Sequence, residues 1–118
     1  MPKVLVVDDA AFMRMRCKKM LVGKGFDVVE AANGIEAISD YKQSHPDMVL
    51  MDITMPDLDG LAALKEIKTM NPSAKVAMVT TMSQQALVME APKTGAMDFV
   101  IKPFDQKQVL ATIKKALS

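Results

Sequence analysis

Five short apolar runs recur along the chain, and a longer segment with a helical pattern follows each of them. The runs lie at residues 4–7, 28–29, 48–51, 76–79 and 99–101. They are mostly uninterrupted by polar residues, as strands buried on both faces of a parallel sheet are. Between them, apolar residues recur every three or four positions, as on one face of an amphipathic helix. This order predicts an α/β fold, a doubly wound five-stranded parallel sheet with five helices.

The helical spacing also predicts which side chains face the core. For the first, second, third and last helices they are Met13, Cys17, Met20 and Leu21; Ile35, Ile38 and Tyr41; Leu61, Leu64 and Ile67; and Val109, Ile113 and Leu117. Gly23 and Gly25 are placed to end the first helix, and Asn33 to cap the second. A shortened or kinked end is expected for the helix at 84–93, because Pro92 removes one backbone hydrogen bond there.

Composition narrows the classes of function. The chain has 118 residues, which suits a single domain spanning residues 1–118. Fifteen basic and fourteen acidic residues leave a formal net charge of +1, so we expect no nucleic-acid partner. One cysteine and one histidine exclude an internal disulfide and a two-histidine zinc site. No apolar run approaches the ~20 residues of a membrane span, so we expect a cytoplasmic protein with no membrane partner.

Two groups of side chains are expected to have no chemical role. Cys17 lies on the predicted core face of the first helix and is interpreted as a small buried hydrophobe. The same helix carries four basic residues, for which a solvated face is the first interpretation and a docking surface for an acidic partner the second. These residues are Arg14, Arg16, Lys18 and Lys19.

Polar residues follow four of the five apolar runs at the point where each strand is expected to end. They are Asp8 and Asp9, then Asp52, then Thr80 and Thr81, and finally Lys102. Ligands of open parallel sheets bind at the carboxyl ends of the strands, so these residues are expected to meet at one edge. Three carboxylates repel one another there, and a hard cation such as Mg²⁺ relieves the repulsion. Thr80 and Lys102 suit phosphate oxygens, and Asp52 is the best candidate for a nucleophile toward phosphorus.

Four stretches together resemble the receiver domain of two-component signalling, over residues 3–117. They are VLVVDD at 4–9, MDITMPDLDG at 51–60, VTT at 79–81 and KPF at 102–104. The resemblance implies a flavodoxin-like fold with strand order 2-1-3-4-5, an order taken from the family and not from this sequence.

The resemblance also implies roles for the residues at the sheet edge. Asp52 would accept a phosphoryl group from a histidine kinase. Asp9 and Asp52 would bind Mg²⁺ together with the backbone carbonyl of Thr54, and Asp8 would contribute mainly through water. Lys102 would contact the phosphoryl oxygens, because the loose, anionic transition state of phosphoryl transfer is stabilised by positioned cations.

A switch and an output surface are implied as well. Thr80 would move toward the phosphoryl group and leave space for Phe99 to turn inward. Partners would bind the surface formed by the helix at 84–93, the last strand and the last helix. That helix contains three consecutive apolar residues, of which at least one should be exposed for a partner: Leu87, Val88 and Met89.

Within the family, we expect a free-standing receiver of the chemotaxis (CheY-like) type, because the stretch DDAAFMR at 8–14 resembles that of such proteins. The implied partners are a chemotaxis-type histidine kinase, a flagellar or archaellar motor switch or adaptor protein, and a phosphatase. We expect a monomer. We expect no enzymatic activity beyond self-catalysed phosphorylation and dephosphorylation.

Besides the excised receiver of a DNA-binding regulator, two alternatives stay open. The first is a single-domain phosphorelay intermediate, which passes the phosphoryl group onward. The second, from another class, is a phosphohydrolase with an aspartate nucleophile. Such enzymes usually carry a second aspartate two residues after the nucleophile, where this chain has Thr54.

Overall fold

Strands and helices alternate along the residues that the computed structural model describes, which are 2–53, 60–81, 95–102 and 106–118. The strands are β1 (Lys3–Val7), β2 (Asp27–Ala31), β3 (Met48–Asp52), β4 (Val76–Thr81) and β5 (Asp98–Lys102). The helices within these ranges are α1 (Ala11–Gly23), α2 (Gly34–Ser44), α3 (Gly60–Met70) and, after β5, α4 (Gln106–Leu117). None of these four is long and apolar enough to cross a membrane. The helix predicted at 84–93 lies outside the described residues.

All five strands lie parallel in one sheet, in the order β2-β1-β3-β4-β5. The predicted flavodoxin-like topology is therefore confirmed. Strand order reverses between β1, which leads to β2 on one side, and β3, which leads to β4 on the other. In doubly wound sheets a crevice for ligands forms at such a point, outside the carboxyl ends of the strands.

Helices pack on both faces of the sheet. On one face, α2 and α3 bury Tyr41, Leu64 and Ile67 against β1, β3 and β4. On the other face, α1 and α4 bury residues such as Leu21 and Ile113. Alternate residues of each central strand enter opposite layers, and so both layers need apolar side chains from the same strand. This is why the central strands are continuous apolar runs in the sequence.

Two of the predicted core positions are wrong, while the other positions predicted for these helices are buried or partly buried. Ile35 on α2 is 59% exposed, and Ala37 is buried in its place. Leu117 on α4 is 38% exposed, and Ala116 is buried instead. In both helices the buried face includes an alanine, because its small side chain lets the helix lie close to the sheet. The larger apolar neighbour then points outward.

Both predicted helix boundaries are confirmed. The Asn33 side-chain oxygen accepts a hydrogen bond from the Glu36 backbone N–H at 2.8 Å and so caps α2. Helix α1 ends at Gly23, and Gly25 follows with a φ of +92°, a conformation that glycine adopts without strain.

Gly60 begins α3 directly against the end of β3. Its backbone N–H donates to the carbonyl oxygen of Ile53 at 2.6 Å. A Cβ at this position would overlap the backbone carbonyl of Asp52. Only glycine therefore allows α3 to start this close to Asp52.

The corrected core predicts different costs for the same substitution at two isoleucines. Ile67→Ala removes a fully buried side chain, so it should lower the free energy of unfolding by about 2–5 kcal/mol. Ile35→Ala removes an exposed one and should change it by no more than about 0.5 kcal/mol. Urea titrations of both variants check this, and equal losses would contradict the assigned core.

The close approach at Gly60 predicts a penalty for the smallest possible side chain. Gly60→Ala should lower the free energy of unfolding by about 1–3 kcal/mol, because the added Cβ forces the backbone apart. Gly23→Ala is the matched control, since a Cβ there meets nothing within 4 Å. It should leave stability unchanged or raise it by up to about 1 kcal/mol. A harmless Gly60→Ala would contradict the packing of α3 against β3.

Candidate functional site

Three carboxylates converge at the carboxyl edge of the sheet. Asp8, Asp9 and Asp52 each have a carboxylate oxygen within 4.8 Å of those of the other two. The strand register explains the convergence. Val7 at the end of β1 pairs with Met51 on β3, so the next residues along the two strands, Asp8 and Asp52, lie side by side.

The three carboxylates differ in exposure. Asp8 and Asp52 are each only 7% exposed, whereas Asp9 is exposed. Buried carboxylates need hydrogen bonds or a cation, because burial removes the water that solvates their charge. Asp8 receives one such bond, from the Ala10 backbone N–H to its Oδ1 at 2.9 Å. The exposed Asp9 leaves the cluster open to ions from solvent.

This set of donors fits Mg²⁺. The cluster offers carboxylate oxygens, the ligand type that hard cations prefer, and it contains no thiolate or imidazole. Mg²⁺ usually binds to one or two carboxylates and keeps several waters, so a half-open cluster suits it better than a closed cage. The further predicted ligand, the carbonyl of Thr54, lies outside the described residues.

The ends of β4 and β5 complete this edge of the sheet. Asp52 pairs with Val79 on β4, so Thr80 lies one residue farther toward the edge, and it is 1% exposed. The backbone of Lys102 ends β5 and pairs with that of Thr81. The structure thus places Thr80 and the backbone of Lys102 at the edge that carries the three carboxylates.

Phe99 lies on the same face of the sheet as Thr80. Met78 pairs with Phe99, and Thr80 pairs with Ile101. Because side chains alternate along a strand, Thr80 and Phe99 are diagonal neighbours on one face. Phe99 is partly buried against the core layer that contains Met78. The three apolar residues predicted for the output surface lie outside the described ranges: Leu87, Val88 and Met89.

Cys17 lines the same small cavity as Asp8, and its thiol is a poor nucleophile. Its side chain is buried, and burial raises the pKa of its thiol to about 11, with the Asp8 carboxylate adding to the shift. The thiol is therefore protonated near neutral pH, and the protonated form neither attacks electrophiles nor binds metals well.

Sequence reasoning missed two residues beside the site, Arg14 and Glu30. The helical pattern predicts a solvated face for Arg14, yet its Nη1 donates to the backbone carbonyl oxygen of Asp8 at 2.6 Å. Its Nε lies 3.3 Å from Oε1 of Glu30. The available signal was the place of Arg14 in the first turn of α1, since helical side chains point back toward the helix start.

Comparisons with known proteins find a matching family and relatives of similar length. The family model described as the response regulator receiver domain matches residues 4–114. Two relatives named Chemotaxis protein CheY match nearly the whole chain. The one from Bacillus subtilis (strain 168) is 51% identical over 117 residues, which cover 98% of each chain. The one from Thermotoga maritima is 49% identical over 114 residues, which cover 96% of this chain and 95% of the relative.

A solved structure shares the fold. A response regulator receiver domain protein from Clostridium thermocellum superposes with a TM-score of 0.95 at 28% identity, over 99% of this chain and 94% of that one. Its strands and helices are therefore arranged as they are here. By family match, by identity to relatives over nearly their full length and by fold, the chain belongs to the response regulator receiver domain family.

Proposed function

We propose that this chain is a chemotaxis-type response regulator that a histidine kinase phosphorylates on Asp52 in the presence of Mg²⁺. Receiver domains bind Mg²⁺ through acidic residues and act as phosphoacceptors, in general not as classical enzymes. The observation that carries the proposal is the convergence of Asp8, Asp9 and Asp52, with oxygens within 4.8 Å of one another. A carboxylate that accepts a phosphoryl group needs such an anionic cluster to hold the cation beside it.

The chemistry requires little of the protein beyond positioning. A carboxylate oxygen of Asp52 forms a bond to phosphorus as the bond from phosphorus to the kinase imidazole breaks, and no proton has to be removed from an ionised carboxylate. Bound Mg²⁺ supplies positive charge next to the phosphoryl oxygens. Asp9, Asp52 and the Thr54 carbonyl would hold it, and Asp8 would do so through water.

Two further residues complete the proposed assignment at the sheet edge. Lys102 would contact the phosphoryl oxygens from the end of β5. Thr80, on the neighbouring strand end, would donate its hydroxyl hydrogen to the phosphoryl group. Because Thr80 and Phe99 are diagonal neighbours, movement of Thr80 changes the space available to the Phe99 ring. This supports a switch that carries the phosphorylation signal from Asp52 to β5.

Partners follow from the resemblance and the relatives' names. Both relatives reported above are named for chemotaxis and are matched over at least 95% of their own length. This supports a chemotaxis-type kinase upstream and a motor switch or adaptor protein downstream. The proposed docking surface is formed by residues 84–93, β5 and α4. The phosphorelay intermediate differs only in the identity of its downstream partner.

Phosphorylation should depend on Asp52 and on Mg²⁺. With radiolabelled acetyl phosphate and Mg²⁺, the wild type should take up at most one phosphoryl group per chain. Asp52→Asn should take up none, because an amide is a poor nucleophile, and a chelator should abolish labelling of the wild type. Asp27→Asn, an exposed aspartate at the start of β2, should label normally. Full labelling of Asp52→Asn would contradict the assignment, and multiple turnover of a phosphoester would favour the phosphohydrolase.

The switch should fail when the Thr80 hydroxyl is removed. Beryllofluoride, a phosphoryl mimic, should shift amide resonances at Asp8, Asp52 and Phe99 in the wild type. Thr80→Ala should keep the shifts at the two aspartates and lose most of the shift at Phe99, because the hydroxyl that draws Thr80 toward the phosphoryl mimic is gone. Thr69→Ala, an exposed threonine on α3, is the control and should behave as the wild type does. An unchanged Phe99 shift in Thr80→Ala would rule out this coupling.

A further inference from the structure

Asp8 is held by a closed circuit of contacts that runs through β1, α1 and β2. Its backbone N–H donates to the carbonyl oxygen of Ala31 at 3.1 Å. The residue before Ala31 is Glu30, whose Oε1 lies 3.3 Å from Nε of Arg14. Arg14 returns to the start of the circuit, because its Nη1 donates to the carbonyl oxygen of Asp8 at 2.6 Å. The backbone of Asp8 is thus fixed through both its N–H and its C=O.

The geometry of the circuit depends on a guanidinium group. Arg14 uses two different nitrogens to reach two acceptors at once, one on β2 and one at the end of β1. A lysine ammonium is a compact charge on a flexible stem and does not reproduce this fork. The side chains of Arg14 and Glu30 are only 18% and 32% exposed. Their ion pair is therefore screened less by solvent than a fully exposed pair would be.

The circuit adjoins the carboxylate cluster, in which like charges lie close together. Repulsion among Asp8, Asp9 and Asp52 tends to move the loop after β1 away from β3. The Asp8 carboxylate is oriented by its bond from the Ala10 N–H, and the circuit fixes the backbone to which that carboxylate is attached. Residues that orient metal ligands in this way affect metal affinity by roughly 10–100-fold.

We propose that Arg14, anchored by Glu30, is a positioning residue that holds Asp8 and Asp9 against Asp52 in the arrangement that binds Mg²⁺. The inference rests on the proposed function only for the identity of the cation. The direction of the change in Mg²⁺ affinity on disrupting Arg14 distinguishes a positioning role from a simple charge effect. A positive charge near the site repels Mg²⁺, so a purely electrostatic Arg14 would weaken cation binding, and its loss would tighten it. A positioning role predicts that disrupting Arg14 weakens binding.

The first test keeps the charge and changes only the geometry. Isothermal titration calorimetry with Mg²⁺ should give a dissociation constant about 10-fold higher for Arg14→Lys than for the wild type. Arg16→Lys is the matched control, since it makes the same substitution two residues along α1, where the guanidinium lies over the Phe12 ring. It should leave the constant unchanged. Equal constants for Arg14→Lys and the wild type, or tighter binding by Arg14→Lys, would overturn the proposal.

A double-mutant cycle tests the anchoring by Glu30. Glu30→Ala should also weaken Mg²⁺ binding. If the two side chains act through one contact, the combined Arg14→Lys, Glu30→Ala variant should bind little more weakly than the weaker of the single variants. Additive losses would mean that Glu30 acts through its charge alone and would overturn its role as the anchor.

Two further measurements, of stability and of phosphorylation, distinguish a positioning role for Arg14 from a merely structural one. A merely structural Arg14 would lower the free energy of unfolding in chelator while leaving Mg²⁺ affinity unchanged, which would overturn the proposal. Failure of the proposed function would show as a wild type that binds Mg²⁺ but is not phosphorylated on Asp52, with the affinity loss in Arg14→Lys intact. A wild type that binds no Mg²⁺ would overturn the positioning role itself.

Discussion

Mutual repulsion among Asp8, Asp9 and Asp52 is the constraint on which the surrounding arrangement depends. Two unit charges about 5 Å apart repel by about 3 kcal/mol at an effective dielectric constant of ~20. The parallel register of β1 and β3 nevertheless brings Asp8 and Asp52 together, because both strands are fixed by apolar layers on their two faces. The fold thus creates a site that a divalent cation would stabilise, and the proposed Arg14 circuit would stabilise the same arrangement from the protein side.

The sheet could be predicted from the sequence because its central strands are buried on both faces. Residues 4–7 and 48–51 are continuous apolar runs, and few other structures place such short runs between helical segments. The strand order was taken from the family resemblance. The rotation of α2 and α4 was predicted less well, since Ala37 and Ala116 determine how closely each helix approaches the sheet. Apolar spacing alone favours the larger Ile35 and Leu117.

The chemical residues of the site were placed from a single rule, that the ends of parallel strands meet at one edge. Arg14 and Gly60 could not be assigned in this way. An arginine that folds back onto a loop and one that extends into solvent have the same sequence pattern. Gly60 also fits a simple helix start, and its contact with the Asp52 carbonyl depends on how α3 is packed. Both residues approach the backbone of a site aspartate, and side-chain patterns are insensitive to such backbone contacts.

The proposed role of the carboxylate cluster is to hold Mg²⁺ beside Asp52, the proposed phosphoacceptor. A crystal structure of the protein grown with Mg²⁺ and beryllofluoride would show this arrangement or its absence at the level of individual atoms. We expect a cation about 2.1 Å from carboxylate oxygens of Asp9 and Asp52, with beryllium bonded to the other oxygen of Asp52. Beryllofluoride on a different carboxylate, or a cation bound away from this cluster, would contradict the proposed role.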